Sequence, residues 1–201
     1  QFNDPTAPSA ATISRIETNI INGPDIETSG IDFRVENTWF GMPNGGEFTL
    51  GGEATYVFNY EVGDFLVEDR TITGGDVVGQ FNRSNFLRSL PQWKANLFAN
   101  YNFEAPWGNN NVRAVLRHVD SYDDERGDIT PLNGQDDSEI DSQTTVDLFY
   151  TTEVGENLNF GLSVVNVFDE DPPSAQFDLA YDPYTHNPFG RTVKVSFGAR
   201  F

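Results

Sequence analysis

The last ten residues of the chain alternate between apolar and polar side chains. One face carries Val193, Val195, Phe197, Ala199 and Phe201, and the residues between them are polar, charged or glycine. A period of two predicts a β-strand with one apolar and one polar side. In a soluble sandwich the apolar side faces a core, whereas in an outer-membrane barrel it faces lipid. Alternation by itself leaves both architectures open.

The same period of two recurs along the whole chain, and no convincing helical period is present. It predicts eight strands, at residues 11–21, 27–40, 47–62, 91–103, 111–122, 142–154, 158–168 and 191–201. The predicted fold class is therefore all-β, with antiparallel strands joined as hairpins.

The connections between these strands fall into two length classes that take turns. The short ones are at residues 41–46, 104–110 and 155–157, and the long ones are at residues 63–90, 123–141 and 169–190. Only the first hairpin, at Asn22-Gly23-Pro24, is short where a long loop is due. Short turns at one end and long loops at the other are typical of transmembrane barrels, and a sandwich gives no reason for such sorting.

Aromatic residues near the strand ends agree with a membrane location. If the carboxy-terminus marks the periplasmic end, four of them fall at that rim: Trp39, Phe48, Phe103 and Trp107. Trp93 then falls near the opposite rim. Amphipathic rings favour the membrane–water interface, although the same rings could be core residues at strand ends.

Apolar residues of neighbouring strands share one phase, so we expect them to form a single lipid-facing surface. They are Val193, Val195, Phe197, Ala199, Leu158, Phe160, Leu162, Val146, Leu148 and Leu97. We also expect segments 142–154, 158–168 and 191–201 to be consecutive antiparallel neighbours. The last of them should pair onward with a strand outside this chain, because an unpaired edge is expensive in hydrocarbon.

Composition narrows the range of partners. The chain has 201 residues, with 31 Asp and Glu against 12 Lys and Arg, a formal charge of −19. Such a charge repels polyanions, so no nucleic-acid partner is predicted. Cysteine is absent, which leaves no disulfide framework or thiolate metal site. The sequence contains no run of eighteen apolar residues, so it predicts no membrane-spanning helix. Contact with lipid stays possible through a closed barrel, which also satisfies every backbone polar group inside a bilayer.

Four segments resemble a known family when they are taken in order. They are Ile26-Glu-Thr-Ser-Gly-Ile-Asp-Phe33, Leu90-Pro-Gln-Trp-Lys-Ala-Asn-Leu97, Leu162-Ser-Val-Val-Asn-Val-Phe-Asp-Glu-Asp-Pro-Pro173 and Asn187-Pro-Phe-Gly-Arg-Thr-Val-Lys-Val-Ser-Phe-Gly-Ala-Arg-Phe201. In this order and spacing they resemble the carboxy-terminal third of a TonB-dependent outer-membrane receptor. The resemblance covers nearly the whole chain.

The resemblance implies a 22-stranded barrel, plugged by an amino-terminal domain, in the outer membrane of a Gram-negative bacterium. Such receptors import scarce nutrients, here a siderophore, a cobalamin-like chelate or an oligosaccharide, with energy supplied through TonB. Residues 1–201 are then interpreted as the carboxy-terminal portion of the barrel domain, with an interior start and the last eight strands. The expected partners are outer-membrane lipid, the ligand, and TonB with its inner-membrane motor, the last through the missing amino-terminal part.

Two other architectures fit parts of the pattern. A complete eight-stranded outer-membrane barrel with a structural or adhesive role would have a similar length and strand number. Its interior would be filled by side chains. The inward-facing candidates could pair as an ion-bonded core of the small barrel or line the wide lumen of a larger one; they are Glu53, Arg113, Arg117, Asp147, Lys194 and Arg200. A secreted β-sandwich that binds carbohydrate is a third possibility.

No catalytic constellation, metal site or cofactor is predicted from the motifs. His118 and His186 are far apart and lack ligand spacing, and no Gly-x-Ser-x-Gly elbow is present. The acidic stretch 120–141 could bind calcium, but it lacks the order of an EF-hand loop. We favour a solvated surface there, because runs of charged residues are usually exposed to solvent.

The final long loop differs from the acidic stretch in its aromatic content. Its candidate substrate-binding residues are Phe177, Tyr181, Asp182, Tyr184 and His186. Rings beside hydrogen-bonding groups suit sugar faces or flat chelates. The competing interpretation is that these rings form a small local core of the loop. A 22-residue loop without structure of its own tends to be functional.

Overall fold

The computed structural model describes residues 23–67, 70–81, 90–124, 139–177 and 179–200. In this part of the chain the strands are β1 Ile26–Met42, β2 Gly46–Val62, β3 Phe65–Val67, β4 Arg70–Ile72, β5 Gly75–Asp76, β6 Gln80–Phe81, β7 Trp93–Ala105, β8 Gly108–Val119, β9 Tyr122–Asp124, β10 Glu139–Ile140, β11 Gln143–Val154, β12 Leu158–Val165 and β13 Thr192–Ala199. A 3₁₀ turn at Pro43–Gly45 joins β1 to β2. Across the described ranges, helices that could cross a membrane are absent.

Seven long strands form one antiparallel sheet, which we call the barrel wall. Its order is β1-β2-β7-β8-β11-β12-β13, and the short strand β5 pairs with β2 beyond this path. The predicted neighbourhood of the last three strands is confirmed, with Leu162 opposite Val195 and Phe160 opposite Phe197. Among the described residues β1 and β13 are the two edges and do not pair with each other. The predicted strand 11–21 lies outside these residues.

In the described part of the chain, the boundaries of the long strands agree with the alternation to within about three residues, and the largest offsets have local causes. The segment 158–168 was expected to be one strand but ends at Val165. Asn166 there adopts φ 53°, and its backbone N–H donates to Asp147 Oδ1 at 2.9 Å instead of continuing the ladder. At β8 the strand begins at Gly108, because this glycine has φ 146° and closes a tight turn with β7.

The two faces of the wall have opposite character. The ten residues expected to share an apolar surface do lie on one face, as the registers of β7, β8, β11, β12 and β13 require. Val193, Val195 and Phe197 are 60%, 62% and 71% exposed. Among the described residues this face is not covered by a second sheet, as it would be in a sandwich.

The short turns and their aromatic residues gather at one end of the wall. Trp39 stacks on Phe48 with ring centroids 5.8 Å apart, and Tyr101 stacks on Phe103 at 5.2 Å. This is the end at which Ala199 pairs with Leu158. Trp93 lies at the other end and packs on His118 at 4.6 Å. The predicted sorting of turns and aromatic residues is confirmed.

Candidate ligand-binding site

Three long connections meet at the end of the wall opposite the short turns. Strand β9 pairs antiparallel with β10 and parallel with β6. Together with residues 174–177 and 179–186 these strands form a small folded unit, which we call the loop cap. Its buried core consists of Phe81, Tyr122, Ile140 and Ala175, and Phe177 packs against it. The cap therefore has a core of its own, although its strands come from two connections and its last segment from a third.

The last segment of the cap is folded by short-range backbone hydrogen bonds. Ser174 bridges Tyr181, and Ala175 and Ala180 face each other, with Ala175 N donating to Ala180 O at 3.0 Å. Ala180 takes φ 61°, which lets the chain reverse. Phe177 belongs to this segment and makes an edge-to-face contact with Phe81, with ring centroids 5.7 Å apart.

Asp182 is fully buried and joins two parts of the cap. Its Oδ2 accepts a hydrogen bond of 2.7 Å from the Tyr122 hydroxyl of β9. Its Oδ1 accepts one of 2.9 Å from the backbone N–H of Tyr184. A buried carboxylate requires such donors, because leaving it without them costs several kcal/mol, on the order of the desolvation of the group.

His186 is 4% exposed and uses both ring nitrogens. Nε2 lies 3.0 Å from the Tyr122 hydroxyl, and Nδ1 lies 2.9 Å from Gln143 Oε1 at the start of β11. The imidazole is also parallel to the Tyr122 ring, with an interplanar angle of 8°. Burial lowers the pKa of His186 from its ordinary value; Asp182 opposes this shift and the positive Lys94 adds to it.

The five residues predicted to bind substrate are thus brought together, but in two layers. Asp182 and His186 are inside, and Phe177 packs on the core. Tyr184 is 54% exposed and meets the edge of Phe177 at 6.1 Å. Tyr181 is intermediate. Of these five residues, Tyr184 is therefore the most exposed on the outer surface of the cap.

Sequence analysis did not single out Tyr122, Asp124 or Gln143 as parts of this site. Asp124 is 1% exposed, and its Oδ2 accepts a 2.7 Å bond from the backbone N–H of Gln176. At this position the expected solvated surface is wrong, because the carboxylate caps the last loop. Residues 125–138 of the acidic stretch lie outside the described residues. No group of three or more potential metal ligands occurs in the described part of the chain.

The polar face of the wall holds a second concave region below the cap. A cleft of about 720 Å³ is lined by side chains that include Arg34, Glu53, Phe98, Arg113 and Arg117. Arg113 lies over the Phe98 ring, 4.8 Å from its centroid. A Cβ on the cross-strand partner Gly51 would come within 2.5 Å of this ring, so the glycine makes room for the pair.

One ion pair of this face ties three strands together. Arg117 of β8 donates to Asp147 Oδ2 of β11 through Nε at 3.1 Å and lies 2.8 Å from it through a terminal nitrogen. The other carboxylate oxygen holds the Asn166 N–H at the end of β12. The pair thus sets the point at which the last loop leaves the wall.

Comparison with known families gives the identity of this architecture. Residues 1–167 match the family described as TonB dependent receptor-like, beta-barrel. The chain belongs to this family of outer-membrane β-barrel transport receptors. No curated protein and no solved structure matches the chain significantly. The matched range includes β1 to β12, whereas most of the last loop and β13 lie beyond it.

Proposed function

We propose that this receptor captures a scarce nutrient outside a Gram-negative cell and imports it with energy supplied through TonB. Family membership supports the transport role. The observation that carries the proposal is the loop cap, which presents an exposed aromatic ring on a buried, hydrogen-bonded base. A rigid mount of this kind lowers the entropy lost when a ring binds a ligand.

The proposed ligand is a siderophore, a cobalamin-like chelate or an oligosaccharide. Tyr184 and Tyr181 would contact it, since flat rings pack on sugar faces and on aromatic chelates. The tyrosines would be supported from inside the cap by Phe177, Asp182 and His186, through the ring contact and hydrogen bonds described above. Calcium binding by the acidic stretch 120–141 stays the alternative to a solvated surface, and the described residues of the stretch hold no group of three potential metal ligands.

We also propose that residues 1–201 are the carboxy-terminal portion of a larger barrel, of 22 strands by its family resemblance. Within the described ranges β1 and β13 are edges without a partner strand, which supports this proposal, because hydrocarbon offers no partners to free backbone groups. The plug, the segment that contacts TonB and the remaining strands would then come from outside these residues.

The full-length receptor carrying Tyr181→Ala together with Tyr184→Ala tests the ligand site. Loss of a stacking ring typically costs about 1–3 kcal/mol, so affinity should fall by roughly five- to a hundredfold. Cell-surface binding and uptake of each ligand class would be measured, with surface expression checked. Phe189→Ala is the matched control, because this ring is 74% exposed on the same loop but outside the cap.

Unchanged affinity in the double variant would assign both rings to loop packing and overturn the site. The transport proposal has a separate test. Deleting TonB should abolish accumulation of the ligand and leave its binding at the cell surface, whereas continued accumulation would contradict energy coupling through TonB.

A further inference from the structure

One row of side chains on the polar face of the wall carries two positive charges. The strand registers place its members next to one another across the strands from β2 to β13: Thr49, Asn100, Arg113, Phe149, Ser163 and Lys194. We call these residues the cation row. The first four of them line the cleft of about 720 Å³ below the loop cap. The row therefore crosses the cleft and ends on β13.

Both cations of the row are without an ion-pair partner in the described part of the chain. Arg113 and Lys194 are also exposed to solvent. The sequence holds 31 acidic against 12 basic residues, so acidic side chains are by far the more abundant. Two uncompensated positive charges on one face depart from the charge of the chain as a whole, and they attract an anion from outside it.

The carboxylates of the two rows on the cap side of the cation row have other partners. They are Glu36 with Arg34 at 3.5 Å, Asp147 with Arg117 at 2.8 Å, and Glu53 with the Asn96 amide at 3.2 Å. On the other side, the next row contains Glu47, which lies on β2, two strands away from Arg113 on β8. The described wall therefore does not neutralise the cation row.

Arg113 is held ready for an anion by the ring of Phe98. Its guanidinium carbon lies 4.8 Å from the ring centroid, and Gly51 leaves the space that the pair requires. A guanidinium stacked on a ring keeps its in-plane N–H groups free, and two of them match the two oxygens of a carboxylate. Because the stacked side chain is already ordered, less conformational entropy is lost when the carboxylate binds.

Phe149 separates the two cations along the row. It pairs with Arg113 on one side and with Ser163 on the other, and Ser163 pairs with Lys194. Three steps between neighbouring strands give about 14 Å along the sheet, and side chains converge on the concave side of a barrel wall. Two acidic groups bound by the row would therefore be separated by about this distance or less. Between them the ring offers an apolar surface, while Asn100 and Ser163 offer hydrogen bonds.

The polar face continues from the cation row toward the loop cap. A second cleft, of about 300 Å³, shares Arg34 and Glu53 with the first and is also lined by Lys94. Lys94 pairs with Val119 at the end of β8, three residues before Tyr122 of the cap. A ligand that leaves the cap therefore meets a polar, concave surface as far as the row. This continuity favours a ligand as the occupant over another segment of the receptor.

We propose that the cation row binds the acidic groups of the imported ligand, which is an anionic small molecule with two carboxylates on either side of a flat or apolar portion. Arg113 binds one carboxylate through its fork of N–H groups, and Lys194 binds the other. The flat portion packs on Phe149. The inference rests on the proposed function in that the receptor imports a ligand. It narrows this ligand to an acidic chelate or an acidic oligosaccharide and excludes the uncharged members of either class.

Paired probes that differ in charge test this on the purified full-length receptor. One pair is trigalacturonate and its methyl ester, and the other is ferric citrate and an uncharged ferric trihydroxamate. Calorimetric titration at about pH 7 and about 0.05 M salt keeps the carboxylates ionised and the screening low. We expect the acidic member of at least one pair to bind more tightly than its neutral partner. Equal affinities in both pairs, or no binding of either acidic probe at about 10 mM, would overturn the proposal.

Neutral substitutions of the two cations assign the preference to the row. Arg113→Gln together with Lys194→Gln removes both charges at exposed positions, so the fold should be retained. Affinity for the acidic probe should fall by about ten- to a hundredfold, while affinity for its neutral partner stays unchanged. Arg191→Gln is the matched control, because it removes a positive charge at the border of the wall, outside the row. Unchanged acidic affinity in the double variant would contradict the site.

Arg113→Lys separates the guanidinium fork from charge alone. It keeps the positive charge and loses both the fork and the stacking on Phe98. Affinity for the acidic probe should therefore fall between that of the native receptor and that of the double variant. Native affinity in Arg113→Lys would contradict the role of the fork.

The other possible occupant of the row, a carboxylate of another segment of the receptor, gives a different result. The double variant would then lower the melting temperature of the ligand-free receptor and leave the preference for acidic probes intact. That combination would overturn the proposal.

The same probes distinguish this inference from the ligand site of the loop cap. Tyr181→Ala with Tyr184→Ala should weaken both members of a pair, whereas the double variant of the cations should weaken only the acidic one. Loss of binding in the tyrosine variant alone would reject only the cation row. Loss in the cation variant alone would keep the row and reject the tyrosines as ligand contacts.

Discussion

In the barrel wall the apolar side chains of β12 and β13 point outward, whereas in the loop cap the apolar side chains of β6, β9 and β10 point toward a common core. Of the apolar residues buried in the described part of the chain, only Val115 belongs to a wall strand. The others lie in the long connections. Apolar side chains of this chain therefore face lipid in the wall, whereas in the cap they are buried away from water.

The two regions consequently depend on different forces. In the wall, long antiparallel ladders satisfy the backbone and the apolar face is stabilised by lipid. In the cap, strands of two or three residues contribute few ladder bonds, so burial of Phe81, Tyr122 and Ile140 must hold them together. The cap should therefore open locally while the wall remains folded.

The strongest perturbation should be a charge on the outer face of the wall. Val195→Arg should destabilise the folded receptor by about 2–4 kcal/mol if the site is near the bilayer midplane. Unfolding by urea in lipid vesicles would measure it. Ser196→Arg is the control on the opposite face of the same strand and should have a much smaller effect. Equal effects of the two substitutions would contradict the assignment of faces.

A substitution within the cap should act on the cap alone. Tyr122→Phe removes the hydroxyl that donates to Asp182 and contacts His186 Nε2, which leaves a buried carboxylate with one donor fewer. We expect local opening to become easier by about 1.5–3 kcal/mol, seen as faster exchange of cap peptides at every pH. Tyr150→Phe is the control, because its hydroxyl bonds Asn110 at the opposite rim. Loss of wall protection in Tyr122→Phe would show that the two regions unfold together.

The smallest effect is expected for an ion pair at the border of the two regions. Arg191 and Asp169 are 3.7 Å apart, and both side chains are about half exposed, 50% and 54%. Arg191→Ala should change unfolding stability by about 0–1 kcal/mol. Arg117→Ala removes the same side chain from a partner that is 2% exposed and should cost about 1.5–3 kcal/mol. A larger loss of unfolding stability in Arg191→Ala than in Arg117→Ala would contradict the expected ranking of these two ion pairs.

The wall could be predicted from sequence because its signal is local. Side chains that alternate between lipid and lumen produce a period of two in every strand, and each hairpin brings together neighbours in sequence. Departures came where a single residue interrupts the ladder, as Asn166 does at the end of β12. The interruption is caused by the carboxylate of Asp147, which belongs to the preceding strand. The alternation of side chains in β12 therefore does not reveal it.

The cap could not be predicted in the same way. The strand β6 pairs in parallel with β9, some forty residues further along the chain, and two-residue strands have no period to detect. Tyr122 and Asp124 stand in an acidic stretch whose composition indicates solvent, yet both are buried. The aromatic content of the last loop did indicate a folded or functional segment, and its partners became clear only from long-range contacts.

The unequal heights of the strands have a consequence for how the wall can be closed. The β1 strand has 17 residues, about 56 Å of backbone, which at a tilt of about 40° rises about 43 Å. The apolar band of an outer-membrane barrel is only about 25 Å tall. Much of the edge of β1 therefore stands in water, where solvent can satisfy its backbone. A neighbouring strand needs to match β1 only over its membrane-embedded part, so the rim of the barrel can be stepped without exposing backbone to lipid.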